Sequence, residues 1–434
     1  MDILFEVDEM KESVNIPEEN LISIIEPKKV KSWGKEEVLI EKALDNPIGS
    51  EKIEDMLNFD SKVSIVVDDI TRPTPTSLLL NIILKKLKNL GVKEENIKIT
   101  IGNGLHRKTT YSEKEKILGR DILGSFDVQD NDPLNKENFE YLGETSLGTP
   151  IYINKRALWG DLIIATGIIK SHAFAGFTGG AKSLIPGVAH KDTILKNHSF
   201  DNIDYPKGLL GDVESIPRKD MEEAVKKLSI PLYILNVVLD LNGNVFAAFS
   251  GDFILAHREG VKTFKNLAEI YINERADLVI VESSYTSGFN LYQTLFGGAV
   301  TMLTRFPIVK EGGMVVLFSP CKEGIGAKII EDLVPKFSSG EEILEYLKHS
   351  SPKEEQWAVQ HLAYFLTHGE IGLVTRGISE EDVKRLKMKY FENLKNAISY
   401  AFNKYGENIR ILIIKKPDFV IPLYNPQKGG DERF

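Results

Sequence analysis

The feature that most constrains the fold is a repeated order of short apolar strand, polar loop and helix. The β-branched stretch at residues 63–67 leads into the loop DDITRPTPT and then into a helical segment that ends before Gly91. A second strand at residues 97–101 leads into GNGLHRKTT and a helix, whose start carries a predicted capping box of Ser112 and Glu115. Strands that alternate with helices indicate a parallel sheet, and ligand sites on such sheets lie beyond the carboxyl ends of the strands.

Further stretches complete this pattern. A third strand at residues 162–166 runs into the glycine-rich segment IIKSHAFAGFTGGAKSLIPG. Residues 232–240 and 245–249 flank Asn242-Gly243, which predicts a hairpin and adds antiparallel strands. The alternation then restarts with DLVIVE, MVVLFS and IGLVTR. We therefore expect an α/β fold with two domains, mainly parallel sheets flanked by helices, some antiparallel strands and an active site in the interdomain cleft.

The same pattern predicts the domain boundaries. We expect a larger N-terminal domain over residues 1–270 plus 405–434 and a smaller C-terminal α/β domain over residues 271–404. The tail IRILIIKKPDFVIPLY is assigned to the larger domain, because it is strand-like, follows a long helical stretch and could rejoin the first sheet as a late strand. A length of 434 residues fits two domains better than one.

Composition excludes several classes of protein. The 54 Lys and Arg and 63 Asp and Glu residues give a net charge of −9, without the concentrated basic face that nucleic-acid binding requires. A single cysteine, Cys321, allows no intrachain disulfide. The start MDILFEVDEM lacks signal-peptide features and no apolar stretch is long enough to span a membrane, so we expect a cytoplasmic protein. The oligomeric state stays open, and a homo-oligomer is compatible with the sequence.

Histidines cluster around the glycine-rich segment. His172, His190 and His198 lie within 27 residues, and histidine is both a common metal ligand and the usual acid or base near neutral pH. In GFTGGAKS, glycine amides can approach a phosphate and Lys182 can supply a charge or a nucleophilic amine. The segment departs from a Walker A motif, which requires glycine where Ala181 stands.

Other candidate residues follow the first two strands. Asp69 and Arg72 come directly after the first strand, where an arginine can bind a carboxylate or phosphate through two hydrogen bonds. His106 closes GNGLH after the second strand, at the same edge of the predicted sheet. In the second half, Tyr292 and Trp357 fit buried aromatic packing as well as a binding site.

Taken together, these motifs resemble one family, the nickel-pincer lactate racemases and their homologues. The motifs are DDITRPTP, GNGLHR, SHAFAGFTGGAKSLIPG, the GD and AH elements of FSGDFILAHREG, YQ at Tyr292 and QWAVQ at Trp357. They occur in this order over roughly residues 40–375. The most specific motif is HAFAGFTGGAKSLIPG, which is followed by His198 sixteen positions after Lys182.

The resemblance implies a covalently attached cofactor. In such enzymes a pyridinium-3,5-dithiocarboxylic-type mononucleotide holds nickel(II) in a planar pincer through sulfur groups and is tethered to a lysine, which corresponds to Lys182. His198 would complete the coordination of the nickel, and an imidazole with soft sulfurs suits square-planar Ni(II). The other cofactor-binding residues implied are Gly179, Gly180, Trp357 and Asp69, the last of which could instead orient Arg72.

The resemblance also implies the reaction, which is racemisation or epimerisation of a lactate-like 2-hydroxy acid. A histidine, His106 or His172, takes the hydroxyl proton while hydride leaves Cα for the cofactor, and a transient 2-keto acid forms. The keto acid reorients, and hydride returns to its other face. Arg72 would hold the substrate carboxylate or polarise the reacting centre, and Tyr292 and Gln293 would add hydrogen bonds to the substrate.

Phe296 departs from the family pattern, because lactate racemases carry a lysine there in contact with the substrate region. Phenylalanine at this substrate-binding position removes a cation and adds apolar bulk. We therefore expect a substrate that is larger or more apolar than lactate. The implied partners are this small 2-hydroxy acid and, transiently, the enzymes that synthesise the cofactor.

Two other functions are compatible with single motifs. A cofactor-free metal-dependent hydrolase could use two or three histidines and a carboxylate and would bind zinc as the isolated apoprotein, although HExxH spacing is absent. A non-catalytic homologue that binds an anion or hands over the cofactor would lack at least one of His106, His172 and Lys182. All three are present, so the sequence favours an enzyme.

Overall fold

The computed structural model describes residues 1–30, 34–206, 209–284, 287–425 and 427. Its strands in chain order are β1 (Asp2–Val7), β2 (Met10–Asn15), β3 (Leu21–Ile25), β4 (Val63–Asp68), β5 (Ile97–Gly102), β6 (Asp127–Asp130), β7 (Phe139–Glu144), β8 (Pro150–Asn154), β9 (Leu162–Ile168), β10 (Ser171–His172), β11 (Gly176–Phe177), β12 (Leu232–Leu239), β13 (Val245–Asp252), β14 (Glu269–Ile272), β15 (Ala276–Glu282), β16 (Val309–Phe318), β17 (Glu370–Val374), β18 (Lys389–Phe391), β19 (Ile411–Lys415) and β20 (Ile421–Tyr424). Its helices are α1 (Glu36–Asp45), α2 (Ile53–Met56), α3 (Thr76–Asn89), α4 (Tyr111–Leu118), α5 (Arg120–Ser125), α6 (Lys191–Asn197), α7 (Phe200–Ile203), α8 (Ile216–Lys226), α9 (Leu255–Ala268), α10 (Leu291–Met302), α11 (Lys328–Leu333), α12 (Gly340–Lys348), α13 (Gln356–His368), α14 (Glu380–Arg385) and α15 (Leu394–Tyr405).

The chain folds into two compact units. The N-terminal unit comprises Lys29–His198 and Val213–Asn266, and the C-terminal unit comprises Met1–Lys28, Ser199–Asp212 and Leu267–Phe434. Each unit contains its own six-stranded sheet and its own buried apolar core. The predicted α/β fold with mainly parallel sheets is confirmed, while the boundaries of the units differ from the predicted ones.

The sheet of the N-terminal unit has the strand order β13-β12-β9-β4-β5-β6. All neighbouring strands run parallel except β12 and β13, which form the hairpin predicted around Asn242-Gly243. From β4 the chain moves outward to β5 and β6, and from β9 it moves outward in the other direction to β12 and β13. The strand order therefore reverses between β4 and β9, and the crevice beyond such a reversal is where open α/β sheets bind ligands.

Apolar burial explains why these segments form a sheet covered by helices. All seven residues of β9 are buried, as expected for a parallel strand covered on both faces. On α3, the side chains of Leu79, Leu80 and Ile83 have no exposed surface and belong to the same apolar core as β9. Burial of each such side chain stabilises the fold by about 1.5–3 kcal/mol. The apolar face that the helical periodicity of the sequence predicts for α3 thus packs into this core.

The sheet of the C-terminal unit is parallel throughout, with the order β18-β17-β16-β15-β19-β3. β19 pairs with β15, for example through Ile411 and Leu278. The prediction that residues 405–434 rejoin the larger N-terminal domain is therefore wrong for the part of this segment that the structure describes. The physical reason is that α15 supplies the crossover which a parallel strand needs, so the chain that leaves β18 returns to the same sheet.

Helix termini follow the sequence signals with one shift. Thr110 is the N-cap of α4: its side chain accepts from the Glu113 amide at 3.3 Å, and the Glu113 carboxylate accepts from the Thr110 amide at 2.8 Å. The capping box is thus not the predicted Ser112 with Glu115, because TYSE fits the same pattern as SEKE and the helix begins two residues earlier. Among the helices that the structure describes, none is long and apolar enough to cross a bilayer.

Candidate active site

Polar side chains gather where β4, β5 and β9 end, beside the reversal of strand order. Asp68 closes β4, and its carboxylate accepts a 2.6 Å hydrogen bond from the Thr74 hydroxyl. The loop after β5 meets the segment that follows β9, because the Gly104 amide donates to the Gly187 carbonyl at 3.0 Å. The loops that were predicted to carry the chemistry are therefore brought together at one edge of the sheet.

His106 is held by the carboxylate of Asp69. Its Nδ1 lies 2.7 Å from Asp69 Oδ2, and Asp69 Oδ1 accepts from the Thr71 amide at 3.0 Å. Burial acts to raise the pKa of Asp69, but the hydrogen bond and charge of His106 and the charge of Arg72 lower it to about 2. An ionised carboxylate only accepts hydrogen bonds, so in the neutral form of His106 the proton lies on Nδ1 and Nε2 is a proton acceptor. The sequence had suggested Arg72 or a cofactor hydroxyl as the partner of Asp69.

The rings of His172 and His198 both pack edge-on against the ring of Phe174. The ring centroids of His172 and Phe174 lie 4.7 Å apart, and those of Phe174 and His198 lie 4.8 Å apart. His172 Nδ1 accepts from the Ala175 amide at 3.3 Å, so the proton of the neutral ring lies on Nε2. His198 Nδ1 instead donates to the Ile194 carbonyl at 2.9 Å, which leaves the Nε2 lone pair available for a metal ion.

The surroundings keep the rings of His172 and His198 neutral. Burial lowers the pKa of His198 to about 3, the charge of Lys182 adds to this effect, and the hydrogen bond to Ile194 opposes it. Burial also lowers the pKa of His172 well below its usual value, with further contributions from Lys182 and Arg72. A neutral imidazole is the form that binds metal ions.

Lys182 lies in a short 3-10 turn that two glycines allow to form. Gly179 has a φ of +75° and Gly180 a φ of +61°, in the region that favours glycine. A Cβ on Gly179 would lie 2.6 Å from Asn236 Oδ1, and a Cβ on Gly180 would lie 3.0 Å from the His257 ring. Any larger residue would therefore displace the turn and, with it, Lys182.

The electrostatic surroundings of Lys182 favour a neutral amine. Burial lowers its pKa to about 7, the charges of Arg72 and Arg218 act in the same direction, and Asp68 and Asp69 oppose them. An ordinary lysine is almost fully protonated at neutral pH, whereas a lysine with this pKa has a large neutral fraction. The neutral amine is the nucleophilic form, so Lys182 is suited to a covalent link with a ligand.

Three residues hold the glycine-rich loop: His257, which belongs to the AH element, and two that sequence reasoning missed, Arg218 and Asn236. Arg218 has no exposed surface and binds backbone carbonyls of the loop. Asn236 Oδ1 accepts from the Gly180 amide at 2.9 Å, and His257 Nε2 lies 2.8 Å from the Thr178 carbonyl. A signal was present for two of them: Arg218 lies on the apolar face of a helical segment, and Asn236 interrupts the apolar run LYILNVVLD.

His190 does not join the other two histidines of the glycine-rich region. Its Nδ1 accepts from the Asp192 amide at 3.1 Å and caps α6, and its ring packs against Phe139 at 5.1 Å between centroids. The histidine cluster of the sequence is thus divided between a structural cap and the candidate site. Over the described ranges, no three or more His, Cys, Asp and Glu side chains are grouped so that they could hold a metal ion.

The candidate residues of the C-terminal unit form a group of their own. Tyr292, Gln293 and Phe296 lie on α10, where Gln293 is exposed and Phe296 is half-buried. The rings of Tyr292 and Trp357 lie 5.0 Å apart, and those of Trp357 and His361 lie 5.4 Å apart. The aromatic packing that the sequence allowed is therefore present for Tyr292 and Trp357. Their binding roles, and those of Gln293 and Phe296, stay predictions.

The fold and the site define an α/β protein that is equipped for acid–base and covalent chemistry at the reversal of its first sheet. Two family models match the chain: the lactate racemase N-terminal domain over residues 7–208 and the lactate racemase C-terminal domain over residues 272–421. The lactate racemase of Thermoanaerobacterium thermosaccharolyticum is 31% identical over 417 residues, which cover 94% of this chain and 96% of that protein. The chain belongs to the lactate racemase family and is thus an isomerase.

Further relatives agree with this assignment. The lactate racemase of Lactiplantibacillus plantarum is 28% identical over 383 residues, which cover 87% of this chain and 89% of that protein. The solved structure of the T. thermosaccharolyticum lactate racemase apoprotein has a TM-score of 0.88 at 29% identity and covers 98% of this chain and 100% of that one. A Thermotoga maritima protein with a TM-score of 0.68 at 18% identity, covering 90% of this chain and 98% of that one, shares the fold.

Proposed function

We propose that this protein racemises or epimerises a 2-hydroxy acid with a nickel-pincer cofactor that is attached to Lys182. The observation that carries the proposal is the Lys182 amine, which has a pKa of about 7 and lies within the electrostatic influence of Arg72, Asp68 and Asp69. These residues lie at the end of β4 and in the segments that follow β4 and β9, where the strand order reverses. A lysine in this state can form a covalent bond near neutral pH.

The residues present fit such a group. His198 offers the lone pair of Nε2, and one imidazole together with sulfur ligands suits planar nickel(II). Asn236 has no exposed surface, and its Nδ2 has no hydrogen-bond partner within the described part of the chain. Buried amide nitrogens normally have a partner, so an acceptor atom of the cofactor could fill this position. Asn236 already contacts the Gly180 amide, two residues before Lys182.

The chemistry of the bound group is to accept hydride from the substrate Cα and to return it. The side chains supply proton transfer and orientation. His106 accepts the hydroxyl proton at Nε2, and the ionised carboxylate of Asp69 stabilises the resulting imidazolium. His172 presents its Nε2 proton to a substrate oxygen, and Arg72 binds the substrate carboxylate. His106 therefore begins a turnover as a proton acceptor at Nε2, whereas His172 begins it as a proton donor at Nε2.

The proposed test of the cofactor uses protein that is co-produced with the cofactor-synthesis enzymes. Intact mass and nickel content are measured for the wild type, for Lys182→Arg and for the control Lys170→Arg, which changes a lysine just after β9. We expect a mass increment of mononucleotide size with about one nickel in the wild type and the control, because their attachment site is intact. Lys182→Arg should show neither. An adduct of equal yield on Lys182→Arg would contradict the proposal.

The proposed substrate is a 2-hydroxy acid with a side chain larger or more apolar than that of lactate. The curated relatives are named lactate racemase, but this chain has Phe296, half-buried on α10, where that family is expected to have a lysine. Phe296→Lys should shift the ratio of kcat/KM values toward lactate by about tenfold. A wild type that prefers lactate to every larger 2-hydroxy acid would overturn this substrate assignment and leave the reaction type intact.

A further inference from the structure

Helix α8 buries charged side chains next to the glycine-rich loop. Arg218, Asp220 and Glu222 are 0%, 1% and 6% exposed, although charged residues of a helix usually face solvent. Burial of a charge is tolerated where hydrogen bonds or an opposite charge compensate it. The partners of these three residues therefore show what this face of the helix holds in place.

Arg218 binds three carbonyl groups of one loop. Its Nε donates to Ala175 at 3.2 Å, and one of its terminal nitrogens donates to Gly179 at 2.9 Å. The other terminal nitrogen donates to Phe177. A guanidinium carries its N–H donors in one rigid plane, so a single side chain fixes three alternate residues at once. This loop leads directly into the turn that carries Lys182.

The same helix also holds the end of α6. The carboxylate of Asp220 accepts from the side-chain amide of Asn197 at 2.7 Å, and this amide also donates to the Pro217 carbonyl at 3.1 Å. Asn197 directly precedes His198. One turn near the start of α8 thus anchors the segments that carry the predicted attachment site, Lys182, and the predicted metal ligand, His198.

Arg218 stays a cation in this position. Burial lowers its pKa to about 10, while Glu222 raises it and Arg258 lowers it further, so the side chain is protonated at neutral pH. Glu222 is bound directly by Arg258 at 2.9 Å. Arg218 is accordingly a fixed positive charge whose hydrogen bonds are directed at neutral carbonyl groups, and this charge acts on Lys182.

We propose that Arg218 is a positioning residue for Lys182, because its guanidinium fixes the loop that presents the amine and keeps a permanent positive charge near it. A nearby cation disfavours the protonated form of a lysine and so favours the nucleophilic one. The role of Arg218 in cofactor attachment rests on the proposed function, whereas the effect of Arg218 on the Lys182 amine does not. The charged and titratable groups that act on this site are Arg72, Arg218, Asp68, Asp69, His172 and His198.

The test uses the full-length apoprotein, produced without the cofactor-synthesis enzymes. Lysines are acetylated with trace acetic anhydride over a series of pH values, and peptide mass spectrometry gives the labelling midpoint of Lys182. Hydrogen exchange is measured on peptides that cover residues 171–187. The variants are Arg218→Met, Arg218→Lys and the control Lys226→Met, which removes an exposed charge from the same helix. Thermal unfolding verifies that each variant is folded.

We expect the Lys182 midpoint to lie near 7 in the wild type and the control. Arg218→Met should raise this midpoint by about one pH unit, because a like charge is removed. Arg218→Lys should keep the midpoint, since it keeps the charge, but should speed hydrogen exchange of the loop by about tenfold, since it lacks the planar fork.

Two results would overturn the inference. One is a folded Arg218→Met protein whose Lys182 midpoint equals that of the wild type. The other is an Arg218→Lys protein in which residues 171–187 exchange hydrogen at the wild-type rate. This second measurement tests the inference if Arg218→Met does not fold. Neither measurement involves the cofactor, so absence of an adduct in co-produced wild type would refute the proposed function without touching this result.

Discussion

The two six-stranded sheets differ most in the groups at the carboxyl ends of their central strands. In the N-terminal unit, this edge carries residues that ionise. His106 is bound to the carboxylate of Asp69 at 2.7 Å, and the pKa of Lys182 is lowered to about 7, first by burial and then by neighbouring cations. The edge of this sheet therefore holds a base that a carboxylate orients and a nucleophile whose pKa is lowered by its surroundings.

In the C-terminal unit, the corresponding edge carries mainly hydroxyl groups. Ser284, just after β15, donates to Asp418, which lies beyond β19. The Thr294 and Ser319 hydroxyls lie 2.7 Å apart. Burial raises the pKa of Cys321, which keeps this residue a thiol. Hydroxyl, thiol and carboxylate groups at this edge hydrogen-bond with one another, so the edge is suited to holding the fold together.

The difference shows that a parallel sheet provides a position for a site, whereas the side chains decide whether chemistry takes place there. Both sheets reverse their strand order, between β4 and β9 in one and between β15 and β19 in the other. The site of the family is proposed at the first reversal, because the histidine that Asp69 orients and the lysine with a lowered pKa lie there. Paired substitutions in the two units test this distinction.

The largest expected effect is on the rate of racemisation. His106→Gln should lower the rate of cofactor-loaded protein by about 10²–10⁴-fold, because it removes the proton acceptor that Asp69 orients. Ser319→Ala, at the edge of the other sheet, should leave the rate nearly unchanged and cost about 1 kcal/mol of stability through the lost hydrogen bond. Comparable rate losses in the two variants would remove the distinction between the edges.

A smaller effect, on the yield of Lys182-linked cofactor, separates the substitutions of two glycines whose φ angles lie in the left-handed region, Gly179 and Gly312. Gly179→Ala places a Cβ 2.6 Å from Asn236 Oδ1, so it should displace the Lys182 turn and lower the yield of Lys182-linked cofactor by about 10²-fold. Gly312 has a φ of +72° and open space around it, so Gly312→Ala should cost about 1 kcal/mol of stability and keep a full yield. Intact mass and thermal unfolding measure both quantities.

The smallest expected effect is on how the free energy of unfolding changes with pH, and this change has opposite signs in the two units. The pKa of Asp69 is lowered to about 2 from its usual 3.8, so its contribution of about 2 kcal/mol is present above pH 3.8 and is lost as the pH falls toward 2. Burial raises the pKa of Glu282 above its usual 4.5, so its contribution is present at low pH and is lost as the pH rises above 4.5.

Urea unfolding at a series of pH values would measure these contributions. Asp69→Asn should flatten the decline of the free energy of unfolding on the acid side of 3.8, and Glu282→Gln should flatten the decline above 4.5. An Asp69→Asn protein that loses stability toward acid as steeply as the wild type would show that the bond to His106 does not hold the Asp69 carboxylate ionised.

Much of the fold and the position of the site could be predicted from the sequence. The strands at residues 63–67, 97–101 and 162–166 are short apolar runs, and the hairpin has a strong turn signal at Asn242-Gly243. Because the carboxyl ends of parallel strands share one edge, the loops with Asp69 and His106 could be placed together before their contacts were known. Local patterns were sufficient for these features.

The remaining features depend on contacts that are distant in sequence. Ile411 pairs with Leu278 across more than a hundred residues, and no local pattern states which sheet a late strand joins. Arg218 contacts a loop about forty residues earlier, and it resembles a surface residue unless the buried face of α8 is recognised. The link between Asp69 and His106 joins two different loops. Such partners are fixed by the tertiary structure.

The measurement that tests the central claim most directly follows the hydrogen on the substrate Cα. Cofactor-loaded protein is incubated in ordinary water with one enantiomer of a 2-hydroxy acid that carries deuterium at Cα. If hydride leaves Cα and returns to it while His106 handles only the hydroxyl proton, the opposite enantiomer forms and retains the deuterium. Product whose Cα deuterium has been replaced by solvent hydrogen would instead indicate proton abstraction from carbon, and it would contradict the proposed mechanism.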